Sequence, residues 1–121
     1  MTKNKLIEYL KTYSDCSIDQ PFSEDNISFV ARHKRNNKWF ALIFKHEDRD
    51  IVNLKCEPFK ADFLRKMYKN ITAGYHMNKT HWNTVYLDGD ISDELMYVMI
   101  SDSFELTAKP AQNRKMKNRK N

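Results

Sequence analysis

Apolar residues recur along this chain in two rhythms, one helical and one alternating, and their order predicts the elements. Leu6, Ile7, Leu10 and Tyr13 fall at three-to-four spacing behind Thr2, a good N-cap, so a helix is expected from Thr2 to about Tyr13. Ser14-Asp15 breaks it, and Asp19-Gln20-Pro21 continues as a polar connection in which Pro21 holds Gln20 extended. Three strands follow: Ile27–Arg32, the almost continuously apolar Lys38–Phe44, and Ile51–Lys55. Polar turns at His33–Lys38 and Lys45–Asp50 join them into an antiparallel meander.

The second half returns to the helical rhythm. Pro58 suits a first helical position, where its missing N–H costs nothing, and a helix is predicted over Pro58–Lys69. Phe59, Phe63 and Met67 form its expected inner face, with Asp62, Arg65, Lys66 and Lys69 on a largely basic outer arc. Gly74 opens a short strand, Tyr75–Asn78, and Trp82–Leu87 alternates as the returning one. Asp88-Gly89-Asp90 ends it. The last helix is expected from about Ser92 to Leu106, with Asp93 and Glu94 at the positive end of its dipole and Ile91, Leu95, Val98 and Met99 inward.

The fold class is therefore α+β: a two-layer α-β-β-β-α-β-β-α domain, one antiparallel sheet packed by helices on one face and partly open on the other. Residues 1–109 make one domain. Residues 110–121 lack apolar periodicity and are expected to be a basic, disordered tail.

Composition supports a folded body. The 121 residues suit a single core, and fifteen aromatics with only two glycines and three prolines exclude a loop-rich or disordered chain. No stretch is long and apolar enough to cross a bilayer, and the polar start Met1–Lys5 is unlike a signal peptide. The expected compartment is the cytoplasm, with Cys16 and Cys56 reduced.

The net charge of +5 changes the picture through its distribution. Residues 109–121 hold six basic groups and no acidic one, while 31–86 hold twelve basic against five acidic, or +7. Residues 87–108 hold six acidic groups and no basic one. One basic and one acidic sector result.

Catalytic signals are sparse. Two glycines, Gly74 and Gly89, cannot make a phosphate-binding loop. Cys56 with one of His33, His46, His76 or His81 would make a thiol–imidazole pair only if the fold joined them, and an ordinary thiol at a strand end is the commoner outcome. His76 and His81 lack the spacing of a closed metal site, and Asp88, Asp90, Asp93 and Glu94 read more simply as a turn and a charged helix start. No metal, cofactor or catalytic residue is expected.

One run stands out: Gly74-Tyr75-His76-Met77-Asn78-Lys79, then His81-Trp82-Asn83-Thr84-Val85. An indole beside amide, imidazole and ammonium donors can stack on a base and hold phosphate oxygens, although Trp82 in the core and Asn78 and Asn83 shaping a turn is the commoner arrangement. This run closely resembles the signature of the MmcQ/YjbR family. Gln20-Pro21-Phe22, Trp39-Phe40-Ala41-Leu42, Leu54-Lys55-Cys56, Asp93-Glu94-Leu95 and Ser103-Phe104-Glu105-Leu106 agree in order, so the resemblance spans about residues 2–110. Ser14-Asp15, Ser23, Glu57-Pro58 and Lys69–Ala73 depart from the usual pattern and bear on loop shape. The resemblance implies a YjbR-like or CyaY-like fold and, since its members are commonly labelled DNA-binding, a non-enzymatic DNA-binding role.

The expectation is thus a binding module for double-stranded DNA, low in sequence specificity and monomeric. Lys34, Arg35, Lys38 and Lys79 would neutralise phosphates, His81 and Trp82 would lie beside them, and Asn78 would donate to a base edge or the backbone. The alternative is a protein- or small-ligand-binding module built around hairpin 74–85, the sheet and the acidic last helix.

Overall fold

The computed structural model describes residues 1–22 and 28–108. Its elements run α1 (Lys3–Leu10), β1 (Cys16–Asp19), β2 (Phe29–His33), β3 (Trp39–His46), β4 (Arg49–Lys55), α2 (Pro58–Met67), β5 (Ile71–Ala73), β6 (Trp82–Tyr86) and α3 (Asp93–Ala108). The predicted order holds, with one edge strand added. Residues 109–121, including the expected tail, and Ile27 of the first predicted strand lie outside the described residues.

Each helix begins on a side-chain cap. Thr2 Oγ1 accepts from Lys5 N at 3.1 Å, the Glu57 carboxylate from Phe59 N and Lys60 N at 3.2 Å, and Ser92 Oγ from Leu95 N at 3.1 Å. Pro58 takes the first position of α2, as its fixed φ and missing donor favour. The β3–β4 hairpin turns through Glu47 and Asp48, both left-handed at φ 52 and 65, whose twist matches that of the flanking strands.

The six strands form one antiparallel sheet in the order β1-β2-β3-β4-β6-β5. α3 packs on β3 and β4, and α2 on β5 and β6. α1 joins α3 through Tyr9 against Tyr97 at 4.5 Å and Tyr13 against Phe104 at 4.7 Å between ring centroids. All three helices therefore cover one sheet face. The core beneath them includes Leu6, Phe40, Ile43, Val52, Val85 and Ile100.

A bulge decides which residues reach each face. Ala31 pairs with Ala41, but Arg32 pairs with Trp39, leaving Phe40 as the extra residue. Without it, Trp39 and Ala41 would point the same way. With it, Phe40 and Ala41 enter the helix-side core, while Trp39 turns to the second face and meets Phe22 at 6.4 Å.

Several expectations need correction. Cys16–Asp19 is an edge strand, not a connection: it pairs with residues 30–33, and Arg32 bridges Asp19 at 2.6 Å. The predicted strand Tyr75–Asn78 is a run of turns, and the strand before it is Ile71–Ala73. On α2 the apolar stripe is not the inner face. Phe59, Phe63 and Met67 are 88, 58 and 59% exposed, whereas Ala61 and Leu64 are buried. Polar anchoring sets this rotation. Asn83, inward on β6, donates from Nδ2 to Ala61 O at 3.2 Å and accepts from Arg65 Nε at 2.6 Å, so Arg65 turns in and the phenylalanines turn out. On α3, Met96, Met99, Ile100, Ser103 and Thr107 face inward, and Val98 is 47% exposed.

Candidate nucleic-acid interface

The second sheet face is closed over its middle and open at one end. Val30, Leu42 and Ile51 are buried there, as are Asn53 and Thr84. The loop 74–81 folds across this face and is bonded to it. Asn53 Nδ2 donates to Tyr75 O at 2.9 Å, Tyr75 N donates to Thr84 Oγ1 at 2.8 Å, and the Thr84 hydroxyl donates to Asn53 Oδ1. Tyr75 then stacks on His46 at 4.0 Å. Asn53 thus joins a central strand to the loop.

The loop is also internally determined. Asn78 Oδ1 accepts from Thr80 N at 2.9 Å and His81 N at 3.3 Å, so its side chain shapes the turn. Lys79 is exposed, but its Nζ donates to Gly74 O at 3.0 Å. The Arg65 guanidinium donates to Lys79 O and, at 3.3 Å, to Trp82 O. His76 adopts φ 61 within the run of turns.

Gly74 is required by close approach. A Cβ built there would lie 2.8 Å from Trp82 Cβ and 2.9 Å from Trp82 O, and the backbone oxygen cannot swing away. Gly74→Ala is expected to destabilise the domain by about 1–3 kcal/mol. Urea denaturation measures that loss, and amide shifts should move along 74–82 while α1 and α3 keep theirs.

At the open end the sheet register sets a row across three strand spacings. Arg32 stands opposite Trp39 on β2 and β3, and Lys55 opposite Trp82 on β4 and β6, all on the second face. Neighbouring strands are about 4.8 Å apart, so the two strands that carry the indoles, β3 and β6, are about 10 Å apart. Trp39 is 36% exposed and Trp82 half-buried. The β2–β3 turn lies at this same end and carries exposed Lys34, Arg35 and Lys38. The turn is fixed from below: Asn36 Nδ2 donates to Thr107 O at 3.0 Å, and the buried His33 Nε2 lies 2.8 Å from Thr107 Oγ1. His33 closes strand β2 instead of opening the turn.

Of the seven residues that the sequence singles out, the fold gathers five at one end of the sheet: Lys34, Arg35 and Lys38 on the turn, and His81 and Trp82 at the start of β6. Asn78 and Lys79 belong to the loop that leads there, and both are engaged with its backbone. Sequence reasoning misses Arg32, Trp39 and Lys55, because their common face depends on the bulge and on pairing register.

Two acidic groups adjoin this end, Asp19 bridged to Arg32 at 2.6 Å and Asp15 beside Arg35, whereas most of the acidic run 87–108 is placed elsewhere. Asp93 receives Lys5 Nζ at 2.6 Å, and that ammonium holds its carboxyl below the usual carboxylate range. Asp102 pairs with Lys60 in the helix layer. Asp88 accepts from Arg49 Nε at 2.9 Å, which lowers it likewise, while Arg49 lies over the Tyr86 ring at 4.1 Å. Asp90 accepts from Asn70, so the acidic run is dispersed among separate partners.

Cys16 and Cys56 are free thiols; burial pushes Cys16 up to about 11 and raises Cys56 as well, which disfavours the nucleophilic thiolate. Among the described residues, no group of three His, Cys, Asp or Glu side chains is placed to hold a metal ion, and no helix is long and apolar enough to cross a membrane.

A six-stranded antiparallel sheet backed by three helices, with a signature loop folded over its second face, defines a small α+β domain class. The chain belongs to the YjbR family, whose model matches residues 12–106. It is 33% identical to YyaQ of Bacillus subtilis, an uncharacterised protein, over 88% of this chain and 98% of that one. It is 30% identical to YjbR of Escherichia coli K12, also uncharacterised, over 96% and 97%. A crystal structure from Pseudomonas syringae superposes with a TM-score of 0.81 at 34% identity, covering 88% of this chain and 99% of that one. A Deinococcus radiodurans protein with a DUF419 domain gives 0.78 at 27%, covering 95% and 86%.

Proposed function

We propose that the protein binds double-stranded DNA, with little sequence preference, through the open end of the second sheet face. One observation carries this reading: cations and indoles alternate there as Arg32, Trp39, Lys55 and Trp82, next to the turn bearing Lys34, Arg35 and Lys38. Lysine and arginine neutralise phosphates, and an indole half-exposed at a sheet end can stack or wedge. α3 lies across the opposite face, and its Asp102, which reaches the Lys55 end of the sheet, is paired there with Lys60. No acid, base and nucleophile are needed for such a role.

The small-ligand alternative has little room between the sheet, α2 and α3, where the crevice lined by Lys55, Cys56, Leu64, Asn83, Met99 and Asp102 has a volume near 10 Å³, enough for one water molecule. Two open hollows away from hairpin 74–85 are larger: about 260 Å³ beside His33, Arg35 and Phe104, and about 350 Å³ beside Met1, Arg49 and Asp88.

Titration of a duplex against the chain truncated after residue 108, followed by amide chemical shifts, tests the proposal. Binding should persist without residues 109–121, weaken steeply as salt rises from about 50 to 200 mM, and shift amides at 32–39, 55 and 81–82. Binding that vanishes with the truncation, or shifts confined to α3, would show that the sheet end is not the DNA reader.

A further inference from the structure

We propose that the sheet end assigned to DNA takes the place where a duplex gives way to unpaired nucleotides, the free bases lying on a cluster of Phe22, Trp39 and Phe44. The inference rests on the DNA reading and narrows its substrate to DNA with a single-stranded stretch beside a duplex. Phe44 alternates with the core residue Ile43 along β3, so it shares the second face with Trp39. Phe22, three residues beyond β1, meets both: its ring centroid is 6.4 Å from that of Trp39 and 5.9 Å from that of Phe44. Phe22 is 41% exposed, Trp39 36%, and Phe44 is half-buried. None of the three joins the core beneath the helices.

Charge and shape together name the occupant. The rings adjoin the turn that carries exposed Lys34, Arg35 and Lys38, and Lys38 directly precedes Trp39. Among the described residues none of these three cations is in a salt bridge. The two carboxylates at this end are occupied otherwise: Asp19 by Arg32 at 2.6 Å, while Asp15 lies 3.5 Å from His33 Nδ1. The ligand therefore brings negative charge and a flat apolar surface close together, as a nucleotide does. A continuous duplex meets only the first need, because each base face is covered by its stacked neighbours. Three cations within five residues suit the dense charge of a duplex, one per about 1.7 Å of its axis, whereas the rings beside them need an unpaired base. A junction supplies both. Trp82, two strands away on the same face, gives the unpaired strand a second platform.

Fluorescence anisotropy of the full chain against probes of one sequence tests this. The probes are a blunt duplex, the same duplex with a 3′ or a 5′ overhang of about six nucleotides, and the overhang strand alone. One overhang duplex should bind about tenfold tighter than the blunt one near 0.15 M salt. With 2-aminopurine as its first unpaired base, that probe should lose fluorescence on binding, as the base stacks. Phe22→Ala should reduce the tenfold advantage to less than about twofold. Phe22 is exposed and outside the core, so circular dichroism and melting should match the wild type. Equal affinity for blunt and overhang duplexes would overturn the inference and leave the duplex reading standing. An advantage that survives Phe22→Ala would overturn it as well, as would a strand alone that binds as tightly as the junction. No binding to any probe would remove the DNA reading and this inference together. In that case, self-association abolished by Phe22→Asp would assign the rings to a second copy of the chain.

Discussion

Phe40→Ala is expected to remove about 3–5 kcal/mol of unfolding free energy, which would consume much of the stability of a domain this size. The side chain is fully buried and joins elements that are far apart in sequence. Its ring meets Tyr13, just after α1, at 5.8 Å, His33 of β2 at 5.2 Å and Phe104 of α3 at 5.0 Å. Its carbonyl also accepts from Ser103 Oγ at 2.6 Å, so the backbone at the bulge is tied to the same helix. Removing the ring would leave a cavity whose walls are aromatic and bonded on their far sides, with little freedom to collapse. Thermal unfolding should show a midpoint lower by roughly 10–20 °C. Phe40→Leu, which keeps most of the volume, should cost much less. A drop below about 1 kcal/mol for the alanine would mean that the bulge does not seat this residue in the core.

The same residue shows what the sequence can disclose. The strand Lys38–Phe44 is visible as an apolar run, and so is the meander, because strand length and turn composition are local properties. The bulge is not, since nothing local distinguishes Phe40 from its neighbours, and its effect is to put Trp39 and Ala41 on opposite faces. β1 escapes for a related reason: Cys16-Ser17-Ile18-Asp19 is short and half-buried, and only its pairing with β2 makes it a strand. The stripe on α2 is legible as a stripe, but periodicity cannot say whether an apolar stripe faces in or out. Here Asn83 and Arg65 decide it, and they lie eighteen residues apart. Asn53 is the one available signal of the loop anchor, a polar side chain in the middle of Ile51-Val52-Asn53-Leu54. For the interface, local reading finds the cations of the β2–β3 turn and the Trp82 run, because both are consecutive in sequence. Their convergence at one end, and the part played by Arg32, Trp39 and Lys55, require the strand order.

That convergence sets the size of the other principal effect. Replacing Lys34, Arg35 and Lys38 together by alanine is expected to lower duplex affinity about a hundredfold near 0.15 M salt, because three phosphates are no longer neutralised. All three are exposed on a turn that is held by backbone and by Asn36, so the substitutions should leave the fold and its melting unchanged. The slope of log affinity against log salt should become shallower by about 2.7, at roughly 0.9 for each of those phosphates. Trp82→Ala works by a different route, since it removes stacking and no charge. It should weaken binding with the salt slope intact. The pair of results separates positioning from stacking on one surface. If the triple variant binds duplex as the wild type does, with an unaltered slope, the β2–β3 turn touches no phosphate. The basic sector of the sheet would then serve solubility alone.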